Sequence, residues 1–278
     1  MRKCRWLVVL ICFLFAGCGT KFAYNNISWF VVSYIEDFVS LTNSQESELE
    51  ERLDLLQQWH KETQLPLYVS QLEVIENVDR SELTSAFIVN QSDQIKNHIR
   101  SIVNKFSPDI YALSMQLSAK QDNQFLKNFR EKQQDSYQER LSLNDEDSRE
   151  RYRERVKERL ERWLGSVSKE QKQIIFAWSQ EWINTNDSWR KYQNNTYQAL
   201  STLTEKKTDL HIAQPIIMKL LLNHEAYYPD GLESTLTKNT ETSAKFLVDI
   251  AATSSDKQWV YFMNELESLK STLVALQE

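Results

Sequence analysis

Four glycines and four prolines in 278 residues leave this chain few ways to turn sharply. Hairpins and tight turns draw on residues that tolerate positive φ or hold φ fixed. A β-rich or α/β chain of this length needs many more of them. The glycines are Gly17, Gly19, Gly165 and Gly231, and the prolines Pro66, Pro108, Pro215 and Pro229. Leu, Gln, Glu, Lys and Arg together make up about two fifths of the chain, and such side chains lose little rotamer freedom in a helix. The sequence therefore predicts an all-α fold, an elongated multi-helix bundle of antiparallel hairpins with about ten helices.

The helix starts are written in the sequence. A Ser, Thr or Asp at the N-cap followed three residues later by Gln or Glu can satisfy two orphan backbone donors reciprocally. Thr42-Asn43-Ser44-Gln45, Asp79-Arg80-Ser81-Glu82, Ser118-Ala119-Lys120-Gln121, Ser168-Lys169-Glu170-Gln171 and Ser255-Asp256-Lys257-Gln258 all have that form. Pro66 and Pro108 stand where a first helical residue would, and Gly165 reads as a left-handed stop. Apolar residues between these signals recur at helical spacing. The stripes are Leu49, Leu53, Leu56 and Trp59; Ile95, Ile99, Ile102 and Phe106 in a helix over 81–106; Tyr152, Val156, Leu160 and Trp163; Ile175, Trp178, Trp182 and Trp189; and Trp259, Phe262, Leu266 and Leu273. Loops are expected near 143–147, 206–209 and 228–232, with a helix break near 184–186. No repeat of fixed period is evident.

The N-terminus has a different character. Arg2, Lys3 and Arg5 precede an apolar run over 6–15, then Ala16 and Gly17, then Cys18. The run is too short to span a bilayer, which takes about 20 residues, and it has the composition of a secretory signal. Phe15-Ala16-Gly17-Cys18 resembles a bacterial lipobox. That resemblance implies cleavage after residue 17, diacylglycerol on the Cys18 thiol and acylation of the new amine, with the lipoprotein maturation and sorting machinery as partners. In the sorting scheme of such lipoproteins an Asp after the cysteine retains the protein in the inner membrane. Gly19 stands there, so the expectation is the periplasmic face of the outer membrane. Residues 1–17 are thus read as signal peptide, 18–26 as the lipidated cysteine with a short tether, and 27–278 as a helical body, with a sub-division near 117/118 open.

Composition narrows the function. Loss of residues 1–17 removes three basic charges and no acidic one, taking the net charge from −6 to −9. Nucleic-acid partners are excluded on that balance, because phosphate affinity needs clustered cations. Cys4 and Cys12 leave with the signal and Cys18 is acylated, so the mature chain has no disulfide and no thiol nucleophile. Apart from the covalent lipid on Cys18, no cofactor is expected. The segment 27–41 is strongly apolar. Its Trp29, Phe30 and Tyr34 suit either a membrane interface or the first core helix, and Glu36 and Asp37 favour the core.

Few constellations suggest chemistry. Arg151, Arg155 and Arg159 form a basic row that could meet lipid phosphates, but Glu150, Glu154 and Glu158 form an acidic row beside it, and mutual pairing on a solvated face is the simpler reading. With Trp29, Phe30 and Tyr34, those arginines are the candidate interaction surface. His224-Glu225 begins a zincin-like motif that Tyr228 fails to close. No Glu-x-x-His pair exists, so no metal site is expected and the four histidines are read as structural. Glu46-Ser47 shares a dipeptide with lytic transglycosylases but lacks their glycine-rich partner motif. No catalytic residue is assigned.

Two resemblances remain. Leu41-Thr42-x-x-Gln45, Leu117-Ser118-x-x-Gln121 and Val167-Ser168-x-x-Gln171 resemble the LTxxQ motif of the Spy-type periplasmic chaperones. The likeness implies, as an alternative role, a tethered chaperone or stress-sensing protein. Ala23-Tyr24-Asn25-Asn26, Trp59-His60, Thr63-Gln64-Leu65-Pro66-Leu67-Tyr68 and Arg162-Trp163-Leu164-Gly165, with Gln171 and Trp178, resemble a family of uncharacterised proteobacterial lipoproteins grouped as a domain of unknown function. That likeness implies an envelope lipoprotein with a helical body and assigns no activity. The sequence reading is thus a non-enzymatic binding or scaffolding lipoprotein with an envelope protein or glycan as partner, and a peptidoglycan-acting enzyme ranks third.

Overall fold

Every secondary-structure element described is helical, in the computed structural model that covers residues 17–141 and 145–278. The signal segment 1–16 lies outside the described residues. Two short helices open the chain, α1 (Gly17–Asn25) and α2 (Ile27–Glu36). Asn26 joins them with the hydrogen bonding kept up: its N–H donates to the Phe22 carbonyl at 3.1 Å and its own carbonyl accepts from Phe30 N–H at 3.2 Å. The segment 18–26 expected as a tether is therefore largely helical.

Helix α3 (Asn43–Trp59) starts at Thr42, runs into a π-turn over His60–Gln64, and continues as α4 (Leu65–Glu76). Pro66 in the first turn of α4 accounts for the wide turn. It has no N–H to give the carbonyl four residues back and its ring would crowd that carbonyl. One turn of five-residue bonding, with Leu65 N–H on the His60 carbonyl, relieves the clash without stopping the helix.

A 3₁₀ turn (Arg80–Glu82) leads to α5 (Ser85–Met115). Here the structure corrects the sequence reading twice. The Asp79 carboxylate takes both the Ser81 N–H and hydroxyl and caps only that turn. Thr84 caps the long helix instead, accepting from Phe87 N–H at 3.2 Å. Pro108 does not open a new helix but sits inside α5. The bond it forgoes would have gone to Asn104, and both residues are exposed, where water can serve the freed carbonyl. The expected stripe fails in part as well: Ile95 and Ile99 are 54% and 57% exposed, and in that stretch of α5 it is Gln91 and His98 that face inward, both meeting Gln71.

The rest of the chain comprises α6 (Ala119–Leu141), α7 (Asp145–Leu164), α8 (Lys169–Glu181), α9 (Asn186–Glu205), α10 (Leu210–Leu222), a 3₁₀ turn (His224–Tyr227), α11 (Leu232–Ala252) and α12 (Asp256–Ala275). Of the loop expected at 143–147, residues 142–144 are outside the described residues and the following residues already belong to α7. Gly165 (φ +74°) ends α7 and Gly231 (φ +81°) precedes α11, both left-handed. The expected break after α8 is present.

Helices α2 and α3, α7 and α8, and α9 and α10 pack pairwise as hairpins, while the C-terminal α12 lies across α1, α4 and α7. Among the described residues the apolar core is divided into four small clusters. Leu160 and Leu164 meet Ile175, Phe246 and Ile250. Val32 meets Leu49 and Leu53, Leu65 meets Leu273 and Leu276, and Leu203 meets Ala213 and Ile217. Each fully buried aliphatic side chain contributes about 1.5–3 kcal/mol. Division of the core follows from narrow stripes on long helices, each of which seals only one seam.

Candidate functional site

The capping boxes come in two facing pairs. Thr42 and Ser118 cap α3 and α6, and Gln45 and Gln121 reach back to the Thr42 and Ser118 N–H groups at 3.0 and 2.9 Å. The two glutamines then reach each other: Gln121 Nε2 donates to Gln45 Oε1 at 2.7 Å and to the Ser40 carbonyl at 2.9 Å. Gln45 Nε2 reciprocates with the Gln116 carbonyl at 3.2 Å. These bonds tie together residues on both sides of 117/118.

The same device recurs between α8 and α12. Gln171 Oε1 accepts from Ser168 N–H at 2.9 Å and from Gln258 Nε2, also at 2.9 Å. Gln258 Oε1 accepts from Ser255 N–H at 2.9 Å, and Gln258 Nε2 also donates to the Ser166 carbonyl at 2.9 Å. Gln171 is fully buried and Gln258 nearly so. A glutamine amide offers two donors and two acceptor lone pairs, which is what capping one helix and locking onto another requires.

A second constellation surrounds the π-turn. The widened turn presents His60 between two phenols: Tyr24 Oη lies 2.8 Å from Nδ1 and Tyr68 Oη 3.1 Å from Nε2. The ring of Tyr68 meets His98 edge-on at 4.7 Å, and His98 Nε2 lies 2.9 Å from Gln71 Oε1. Burial lowers the His60 pKa from 6.5 to about 4 and pushes Tyr68 up to about 12. Burial, then the neighbouring Tyr68, raises Tyr24. The imidazole is neutral at pH 7, with one ring nitrogen donating and the other accepting. Gln57 Nε2 donates to the Tyr24 carbonyl, and Thr20 is 3% exposed. Helix α1 is thus docked on the body by its inner face. Sequence reasoning took these histidines as scattered. The signal that could have found the site was the clustering of Tyr24, His60 and Tyr68 within the segments that carry the family resemblance.

Behind the first pair of boxes lies an apolar cavity of about 350 Å³, partly open, where six helices converge. Phe38 follows α2, and Leu49, Phe106, Phe125, Leu203 and Ile217 come from α3, α5, α6, α9 and α10. At its wall Lys207 Nζ donates to both Asp122 carboxylate oxygens at 2.9 Å and to the Leu117 carbonyl at 2.7 Å.

The candidate surface residues do not form one site. Trp29 is 60% exposed, but Phe30 packs edge-on to it and is half-buried. Tyr34 is closed against Phe38 and beneath Lys132, which lies 4.7 Å from its ring centroid. The segment 27–41 divides accordingly: Val32 and Val39 are buried while Trp29 stands out. Arg151, Arg155 and Arg159 lie exposed on α7, Arg155 over the Tyr152 ring at 4.6 Å. The expected pairing with the acidic row is seen at Glu154, and Arg153 finds a partner outside that row. Arg153 bonds Glu146 at 2.7 Å and Lys157 bonds Glu154 at 3.1 Å. Arg149 turns inward to the Ser179 and Trp182 carbonyls at the end of α8, where a cation meets the negative end of the helix dipole. Cys18 is in the first turn of α1, and Gly19 is exposed with open space beside it. Among the described residues, no group of three His, Cys, Asp or Glu could hold a metal ion, and no helix is long and apolar enough to cross a membrane.

The fold and these sites define an all-helical protein built from hairpins whose corners interlock through paired glutamines. The chain belongs to a family of unknown function (DUF6279), whose model matches residues 37–232. The match takes in His60, nearly all of the cavity wall and three of the four boxes, and leaves out α1, α2, α12 and all but the first residue of α11. No curated protein and no solved structure matches the chain.

Proposed function

We propose that this chain is a lipoprotein of a bacterial envelope, anchored through lipid on Cys18 at the periplasmic face of the outer membrane, and that it acts by binding or scaffolding and not by catalysis. The observation that carries the reading is the docking of α1. Its inner face is fixed by Thr20 and by the Tyr24–His60 contact. Phe22, one turn after position 18, is 64% exposed, and Trp29 is 60% exposed. At 100° per residue, positions 18, 22 and 29 fall on one side of the nearly continuous α1–α2 rod. Aromatic side chains there suit a bilayer interface, so a lipid at position 18 would hold the body against the membrane.

The test is labelling of cells with a fatty-acid analogue. The wild type incorporates it and Cys18→Ser does not; incorporation into the variant refutes the anchor.

A tethered chaperone is the second reading, favoured by the LTxxQ-like boxes. Against it, the boxes are consumed in joining helices, and of the seven described tryptophans only Trp29 is exposed. The protein is expected to leave the aggregation of a denatured client unchanged. Strong suppression would reverse that ranking.

A further inference from the structure

The apolar cavity has the properties of a ligand site. At about 350 Å³ it exceeds the roughly 150 Å³ apolar cavity that takes up benzene, and water needs two to four polar partners to settle in such a space. The polar side chains in its wall are already engaged. Gln45 belongs to the paired boxes, Ser114 Oγ donates to the Tyr111 carbonyl at 2.8 Å, and Thr204 Oγ1 donates to the Ser201 carbonyl at 3.0 Å. Lys207 spends its donors on Asp122 and the Leu117 carbonyl. An occupant therefore meets hydrocarbon and aromatic surface and no free donor or cation. If a methylene takes about the 30 Å³ of a water's share of the liquid, the space holds roughly a dozen chain carbons.

From this we infer that the cavity between α2, α3, α5, α6, α9 and α10 binds one fatty-acyl chain of a lipid molecule, recognised by its tail and not by its head. The inference rests on the binding role proposed above, at a membrane surface where acyl chains are the abundant apolar material. The chain belongs to a separate molecule and not to the anchor. The cavity touches the first turns of α3, at Gln45 and Leu49, whereas α1 docks beyond its other end at His60. Position 18 and Ile35 in the cavity wall are about 25 Å apart along the α1–α2 rod at 1.5 Å per residue, farther than the roughly 15 Å that an acyl chain spans in one leaflet.

The experiment uses the full chain held in a fluorinated surfactant, whose tail mixes poorly with hydrocarbon, and a fluorescent polyene fatty acid as probe. One probe per chain is expected to bind saturably, displaced by palmitic acid and by a single-chain lysophosphatidylethanolamine with similar affinity. Displacement by palmitic acid alone keeps the site and assigns free fatty acid as its source; displacement by neither overturns the proposal. Leu203→Trp, which fills the cavity, lowers probe affinity about tenfold or more, a loss of 1.4 kcal/mol or above. Unchanged affinity in a variant of wild-type helicity overturns it too. A photoreactive fatty acid on the wild-type chain gives a reading independent of that variant's folding. Labels within 35–49, 106–125 or 200–221 support the site, and labels confined elsewhere refute it. Cys18 acylation is scored separately, so failure here leaves the anchor assignment untouched.

Discussion

Replacing Gln171 with Glu tests the interlocked corners with the smallest possible change of shape. One carboxylate oxygen can keep the acceptor role toward Ser168 N–H and Gln258 Nε2, both at 2.9 Å. The other replaces a donor that now faces Gln258 Oε1 and Ser254 Oγ, each at 3.4 Å. Two oxygens would then confront each other, and Ser254 Oγ already donates to the Ile250 carbonyl at 2.7 Å. The site is 0% exposed, so an unpaired charge there is expected to cost about 3–5 kcal/mol. Gln45→Glu makes the same change at the half-buried first corner and should cost about 1–2 kcal/mol. Burial raises the folded-state pKa of the introduced carboxyl above its unfolded value of about 4.3. The penalty is therefore full above the folded pKa and shrinks as pH falls toward the unfolded one, by about 1.4 kcal/mol per unit. Urea unfolding followed by circular dichroism at pH 7.5 and pH 5, each variant against wild type at the same pH, measures both effects. A penalty below about 1 kcal/mol, equal penalties at the two corners, or no relief at pH 5 would each refute the reasoning.

Three further outcomes are expected. His60 has a folded pKa of about 4 against 6.5, so between those values the unfolded chain binds more protons and the native state loses stability as pH falls. Partial exposure reduces the full linkage to about 1–2 kcal/mol; His60→Gln should lose that part of the pH dependence, and an unchanged slope would count against the dock. Gly165→Ala adds a Cβ 3.2 Å from the Tyr261 ring at φ +74°, while Gly231→Ala meets nothing within 4 Å at φ +81°. The first should cost about 2 kcal/mol and the second about 1 in the same unfolding assay, and the reverse order would show the ring contact to be irrelevant. Gly19→Asp should move the protein from outer-membrane to inner-membrane fractions, and finding the wild type already in the inner fractions would overturn the sorting assignment.

What the sequence determined by itself is local. Scarce glycine, Ser/Thr-x-x-Gln starts and apolar stripes at helical period specify helices, because capping and amphipathicity depend on residues within a turn or two of each other. Thr42, Ser118, Ser168 and Ser255 cap where expected, and Leu49, Leu160, Ile175 and Leu266 are buried as their stripes imply. At Asp79 the local signal marked only a 3₁₀ turn, and Thr84 caps the long helix that follows. Only the tertiary structure decided which helices meet. That Gln171 finds Gln258, that Tyr24 reaches His60, that Ile95 and Ile99 stay in water, and that six helices leave a cavity among them depend on pairings between residues far apart in the chain. A single helix stripe states that a face must be covered. Which face covers it follows from the shape and hydrogen-bonding complementarity of both partners, and neither partner carries that alone.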